Sequence, residues 1–169
     1  MVSAEELKKI FLLQNLTDGM LEKIIPQLRA LHFSEREIIF EEGNKAENFY
    51  MLKKGKILLE AEISDQLTIS LGSIKSGYSF GWSALLSEPS HTSHAVCAEP
   101  SDVFAIPGEK LRDILEGDPS MGYRVMGFAA KILKNRLERR TGQLLKVMAN
   151  HPDMKKLLDL QSDDEMSTR

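Results

Sequence analysis

Four histidines, one cysteine and several runs of hydroxyl and carboxylate side chains are the groups in this chain that could do chemistry. His91 and His94 stand three positions apart. On a strand that separation sends two side chains to opposite faces, so both read as solvent-facing or pocket-lining groups, and no metal site is expected. Cys97 sits between Val96 and Ala98, where a small buried thiol is expected rather than a reactive one. A lone cysteine excludes an intramolecular disulfide and a multi-cysteine zinc or iron–sulfur site. Glu41-Glu42 and Asp163-Asp164-Glu165 read as solvated faces, not acid–base pairs. Ser79-Phe-Gly-Trp-Ser83 lacks the G-x-S-x-G spacing of a nucleophile elbow, and neither a Walker loop nor a dinucleotide fingerprint occurs. Neither enzymatic activity nor a cofactor is expected.

The most informative stretch runs from Ser76 to Ala98. A glycine corner leads into a short helical patch over 83–86, then a polar loop, then a strand. Gly81 lets a ligand approach the backbone closely, and Ser83, Ser90, Thr92 and Ser93 offer hydroxyl donors. Backbone N–H groups at a helix start attract anions. The alternative is a plain connection between strands.

The elements that must hold this stretch follow from periodicity. Ser3-Ala-Glu-Glu6 has capping-box spacing and opens a helix with Leu7, Ile10 and Phe11 on one face. A second helix begins near Thr17 and is ended or kinked by Pro26. Ile57, Leu59, Ala61 and Ile63 alternate with their neighbours, as do Leu67, Ile69 and Leu71, which predicts strands with one buried face. Ser64 and Asp65 suit the turn between them. Further strands are expected over 37–41, 49–53, 93–99 and 103–106, with corners at Gly43, Gly55, Gly72, Gly77 and Gly81. Many short strands with glycine corners suggest a barrel or rolled sandwich. Another helix starts near Gly108 and is capped by Gly117. Asp118-Pro119 then opens a long helix in which Met126, Ala130, Leu133, Leu137 and Leu144 form a seam. A helix of about 30 residues, about 45 Å long, has more seam than a domain this small covers, so a second copy is the expected partner. Packing on the chain's own barrel is the alternative. Arg136, Arg139 and Arg140 read as a solvated or salt-bridged helix face.

The 169 residues suit one domain with an appendage, and 42% hydrophobic and 28% charged residues are those of a globular chain. A net charge of -3 shows no basic excess, so no nucleic-acid partner is expected. No apolar run approaches the roughly 20 residues of a membrane span, and residues 1–9 lead into an amphipathic segment rather than a signal peptide. A cytoplasmic location without a membrane partner is expected.

Residues 16–115 resemble a cyclic-nucleotide-binding domain of the catabolite-activator type. The resemblance is carried by Ile38-Ile-Phe-Glu-Glu-Gly43, Phe49-Tyr-Met-Leu-Lys-Lys-Gly55, Gly77-Tyr-Ser-Phe-Gly81 and Ala95-Val-Cys-Ala98, in the family's order and spacing. It implies an α+β, mainly β fold: an antiparallel β-roll, or jelly-roll-like barrel, with N-terminal helices and a long C-terminal dimerisation helix. The expected organisation is N-terminal helices over 1–30, the roll over 31–107, C-terminal helices over 108–150 and a polar tail over 151–169. The resemblance implies that 80–89 is the phosphate-binding cassette, with Phe80, Gly81, Trp82, Ser83, Ala84, His91, Thr92 and Ser93 at the ligand.

Two positions depart from the family. Trp82 stands where a glutamate binds the ribose hydroxyl, and Thr92 stands where an arginine pairs with the phosphate. No arginine or lysine occurs from Gly77 to Val103, so no shift of register restores the charge. A charge-assisted hydrogen bond contributes about 1.5–3 kcal/mol, so affinity for cyclic AMP or cyclic GMP should fall about a hundredfold. Protonated His91 could substitute for the missing cation below about pH 6.5. The expectation is a divergent bacterial, non-catalytic sensor for a nucleotide or other small anion, signalling through a homodimer helix or a partner protein. The first alternative is a ligand-free scaffold acting through protein contacts. A truncated DNA-binding regulator ranks below both, because 141–150 resemble the helix that leads into such a regulator's reading head while too little sequence follows to form it.

Overall fold

The computed structural model describes residues 2–64, 67–86, 88 and 90–152. Two compact units divide the chain, Met1–Phe128 and Ala129–Arg169. The proposed tail lies, from residue 153 on, outside the described residues, as does Asp65 of the expected turn.

In the first unit, α1 (Ala4–Lys8) carries the full capping box: Glu6 N–H donates to Ser3 Oγ at 3.3 Å and Ser3 N–H donates to Glu6 Oε2 at 3.1 Å. Thr17 caps α2 (Asp18–Ile24), and Pro26 falls in the 3-10 turn Ile25–Gln27 that closes it. Leu7, Leu21 and Ile24 are fully buried, so these short helices are held by packing rather than by propensity.

Eight strands follow: β1 (Arg29–Phe33), β2 (Ile38–Phe40), β3 (Asn48–Lys54), β4 (Lys56–Ser64), β5 (Leu67–Lys75), β6 (Ser79–Phe80), β7 (His94–Cys97) and β8 (Ser101–Pro107). They form two antiparallel four-stranded sheets, ordered β1-β8-β3-β6 and β2-β7-β4-β5. This is the mainly β roll that the sequence led us to expect. Tyr50, Leu52, Ile57, Ile74, Phe80, Ala95 and Cys97 share its core. Strand pleating turns the alternate residues Phe49 and Met51 to the other face of β3. On that face the neighbouring Lys53 pairs with Glu6 of α1 at 2.6 Å.

The structure differs from the sequence reading at four places. The reading missed β1 and β6. β1 is an edge strand whose core-facing residues are only Leu31 and Phe33, a single repeat, and β6 has two residues, too few to show a period. The expected buried face holds at Ile57 of β4 and fails further out, where Ile63, Leu67 and Ile69 are exposed, and the buried residue of β5 is Ile74, outside the expected set. The cause is length: β7 pairs with β4 only from Ile57 to Glu60, so the β4–β5 arm extends past its third strand. Finally, Gly117 does not leave the helix in a left-handed conformation. α4 (Gly108–Gly117) includes it, and Asp118 is the C-cap at φ -134°.

Asp118 also opens α5 (Pro119–Ala149), accepting from Met121 N–H at 3.1 Å and from Lys23 Nζ at 2.8 Å. The Lys23 hydrogen bond, then the Met121 N–H, holds its carboxyl below the ordinary carboxylate range. Met121 and Val125 of α5 are fully buried. The remainder of α5, from Ala129, belongs to the second unit and stays helical through Gly142.

Candidate ligand-binding site

The site grows from a single left-handed residue. Gly81 follows β6 at φ 73°, ψ 35° and begins α3 (Trp82–Leu85), one residue earlier than the patch expected from sequence. A Cβ on Gly81 would lie 2.9 Å from the Tyr50 ring and 3.0 Å from Asn48 O, so both the conformation and the close approach require glycine. Leu86 N–H donates to Trp82 O and Glu88 N–H to Ser83 O, each at 2.9 Å, which closes a compact turn. Ser90 bridges to Lys45, and His91 is pinned by its backbone: its N–H donates to Asn44 O and its C=O accepts from Gly43 N–H, both at 2.9 Å.

An aromatic cluster lies beneath. Phe40, Tyr50 and Phe80 sit 5.2 to 6.0 Å apart, centroid to centroid. The His91 ring stacks on Phe40 at 3.6 Å with only 9° between the planes. His91 is 4% exposed, and burial pushes its imidazole below the ordinary range, so it is neutral near pH 7. The acid-strengthened anion binding expected near pH 6.5 therefore moves to lower pH. Burial likewise raises the Cys97 thiol, in keeping with a core residue and not a nucleophile.

The structure brings Phe80 and His91 together across Phe40, with Gly81 beside Tyr50. It does not bring Trp82 to them. The indole lies edge-on to Phe49 at 5.1 Å, and Phe49 is on the opposite face of β3 from Tyr50. Ser83 is half-buried, Ser93 is buried and Thr92 is exposed. Ala84 is buried against α4, where a Cβ on Gly108 would meet Ala84 O at 2.2 Å.

Sequence reasoning missed two participants. Phe40 comes from β2, about fifty residues before His91, and no local pattern connects them. Arg112 of α4 donates through Nη1 to Ala84 O, placing a cation against the last residues of α3. Its signal was present in the one-turn spacing Gly108-x-x-x-Arg112, with the glycine admitting α3 and the arginine reaching it. Among the described residues, no cluster of His, Cys, Asp or Glu could hold a metal ion, and no helix is long and apolar enough to cross a membrane.

A roll of two antiparallel sheets with a glycine-started helical turn between β6 and β7 agrees with what comparison finds. The chain belongs to the cyclic nucleotide-binding domain family, which it matches over residues 30–118, more than half its length. It is 31% identical to human cGMP-dependent protein kinase 2 over 102 residues, 59% of this chain but 13% of the kinase. Among solved structures it is similar to a Geobacter metallireducens GS-15 protein described as cyclic nucleotide-binding. That likeness has 29% identity and a TM-score of 0.71, and covers 81% of this chain and 99% of that one. A cyclic nucleotide-binding domain from Methylobacillus flagellatus shares the fold at TM-score 0.73 and 14% identity, over 88% of this chain and 83% of its own.

Proposed function

We propose that this chain is a non-catalytic sensor whose cassette takes a small anionic ligand, binds cyclic AMP and cyclic GMP weakly or not at all, and signals by pairing α5 with that of a second copy. One observation carries the reading. The cassette and the strands after it, from Gly77 to Val103, contain no arginine or lysine, and the imidazole best placed to replace one is buried and neutral. A phosphate held without a cation forgoes charge-assisted bonds of about 1.5–3 kcal/mol, or about a hundredfold in affinity. Calorimetry on the full chain tests this. The expected result is no saturation by either cyclic nucleotide at low micromolar concentration, with a gain of about a hundredfold in Thr92→Arg. A low-micromolar Kd for the unaltered chain would overturn the proposal.

A ligand-free scaffold is the second reading. It is favoured by the rings of Phe40, Tyr50, Phe80 and His91, which fill the roll beside the cassette. In that case Thr92→Arg restores no binding.

A further inference from the structure

A concavity of about 690 Å³ lies between α4 and the outer side of the cassette, lined by Ala84 and Glu88 of the cassette but by none of Phe40, Phe80, His91 or Ser93. Its volume is within the range of small-molecule sites, roughly 300–1,000 Å³. Its walls are fixed by regular structure. Arg29, Asn48 and Pro107 come from the same end of three neighbouring strands, with Arg29 paired to Ala105 and Asn48 to Pro107. Gly108 and Ala84 hold α4 tightly to α3.

The charges are what point to a ligand. Arg29, Lys45 and Arg112 face Glu47, Glu88 and Glu109 around one cleft. Lys45 and Glu47 pair with each other at 3.0 Å. The two guanidiniums bond to neutral oxygens instead: Arg29 Nη2 donates to Asn48 Oδ1 at 3.1 Å and Arg112 Nη1 to Ala84 O. These bonds orient each guanidinium without neutralising it. Among the described residues, neither arginine has a carboxylate partner, and neither Glu88 nor Glu109 has a cationic one. Two oriented cations and two free carboxylates thus share one cleft. A simple anion would be repelled by the glutamates and a simple cation by the arginines. A ligand carrying both charges satisfies both sets.

We propose that this cleft is a second ligand site, for a small zwitterion of amino-acid type whose carboxylate lies on Arg29 and Arg112 and whose cationic group lies on Glu88 and Glu109. The test is a titration of the isotope-labelled full chain, followed by amide chemical shifts. The probes are a panel of free L-amino acids, with acetate, inorganic phosphate and ethylamine as singly functional controls. At least one amino acid is expected to saturate with a Kd at or below about 1 mM, shifting amides of residues 45–48 and 108–112. The controls should bind at least about tenfold more weakly, and Arg29→Gln and Glu109→Gln should each weaken the amino acid by about tenfold. Both variants alter exposed side chains, so they test binding even if Arg112→Gln unfolds the α3–α4 contact. Lack of saturation by any amino acid at about 10 mM, equal binding of acetate or phosphate, or unchanged affinity in both variants would each overturn the assignment.

Discussion

His91 is where burial and charge conflict most directly. Its ring is stacked on Phe40 inside the protein, and burial holds its titration below that of an unfolded imidazole, near pH 6.5. As pH falls through that value, the unfolded chain takes up a proton that the folded chain does not. The stabilising contribution of neutral His91 is therefore complete above about pH 6.5 and is lost progressively below it. Melting temperature should drop between about pH 7 and pH 5, and His91→Phe, which keeps the stack, should flatten that drop. An unchanged pH profile in the variant would show that the folded imidazole takes up its proton over the same range as the unfolded one. The same residue illustrates what a sequence conceals. His91 could be named as a candidate from its place after the cassette, but its charge state depends on Phe40, which only the fold brings near.

At the scale of elements, α3 and α4 meet with almost no space between them. A methyl group at Gly108 would lie 2.2 Å from Ala84 O and 3.0 Å from Ala84 Cβ. Backbone cannot yield as a flexible side chain does, so Gly108→Ala should cost about 1–3 kcal/mol in denaturant unfolding. A neutral result would mean that the two helices are not in contact in solution. Periodicity was a good guide wherever an element was long enough to repeat. The capping box at Ser3, the turn at Pro26 and the presence of β4 were all legible. Two-residue β6 and edge strand β1 were not, because a period needs several residues and β1 repeats only once, from Leu31 to Phe33. The cassette was legible through its glycines and the family's spacing, whereas Arg112 left only its one-turn spacing from Gly108, since its partner is a main-chain carbonyl outside any side-chain pattern.

For the molecule as a whole, the exposed apolar side chains of α5 bear on association. Met126, Leu133, Leu137 and Leu144 of α5 are between 38% and 68% exposed, and Ala130 is exposed among them. If this seam joins two copies, sedimentation at tens of micromolar should give a dimer, and Leu133→Asp with Leu137→Asp should give monomers by placing charge in the contact. A monomeric unaltered chain would refute the pairing. A different surface bears on how the protein survives in a tube. The β4–β5 arm extends past β7, and β5 is the last strand of its sheet, carrying bare Leu67 and Ile69. An unpaired strand with apolar side chains is a template on which foreign strands can stack. Shelf life at high concentration should therefore be limited by seeding along β5, long before the roll unfolds. Ile69→Lys, a gatekeeper charge on that strand, should delay the rise in light scattering with little change in melting temperature.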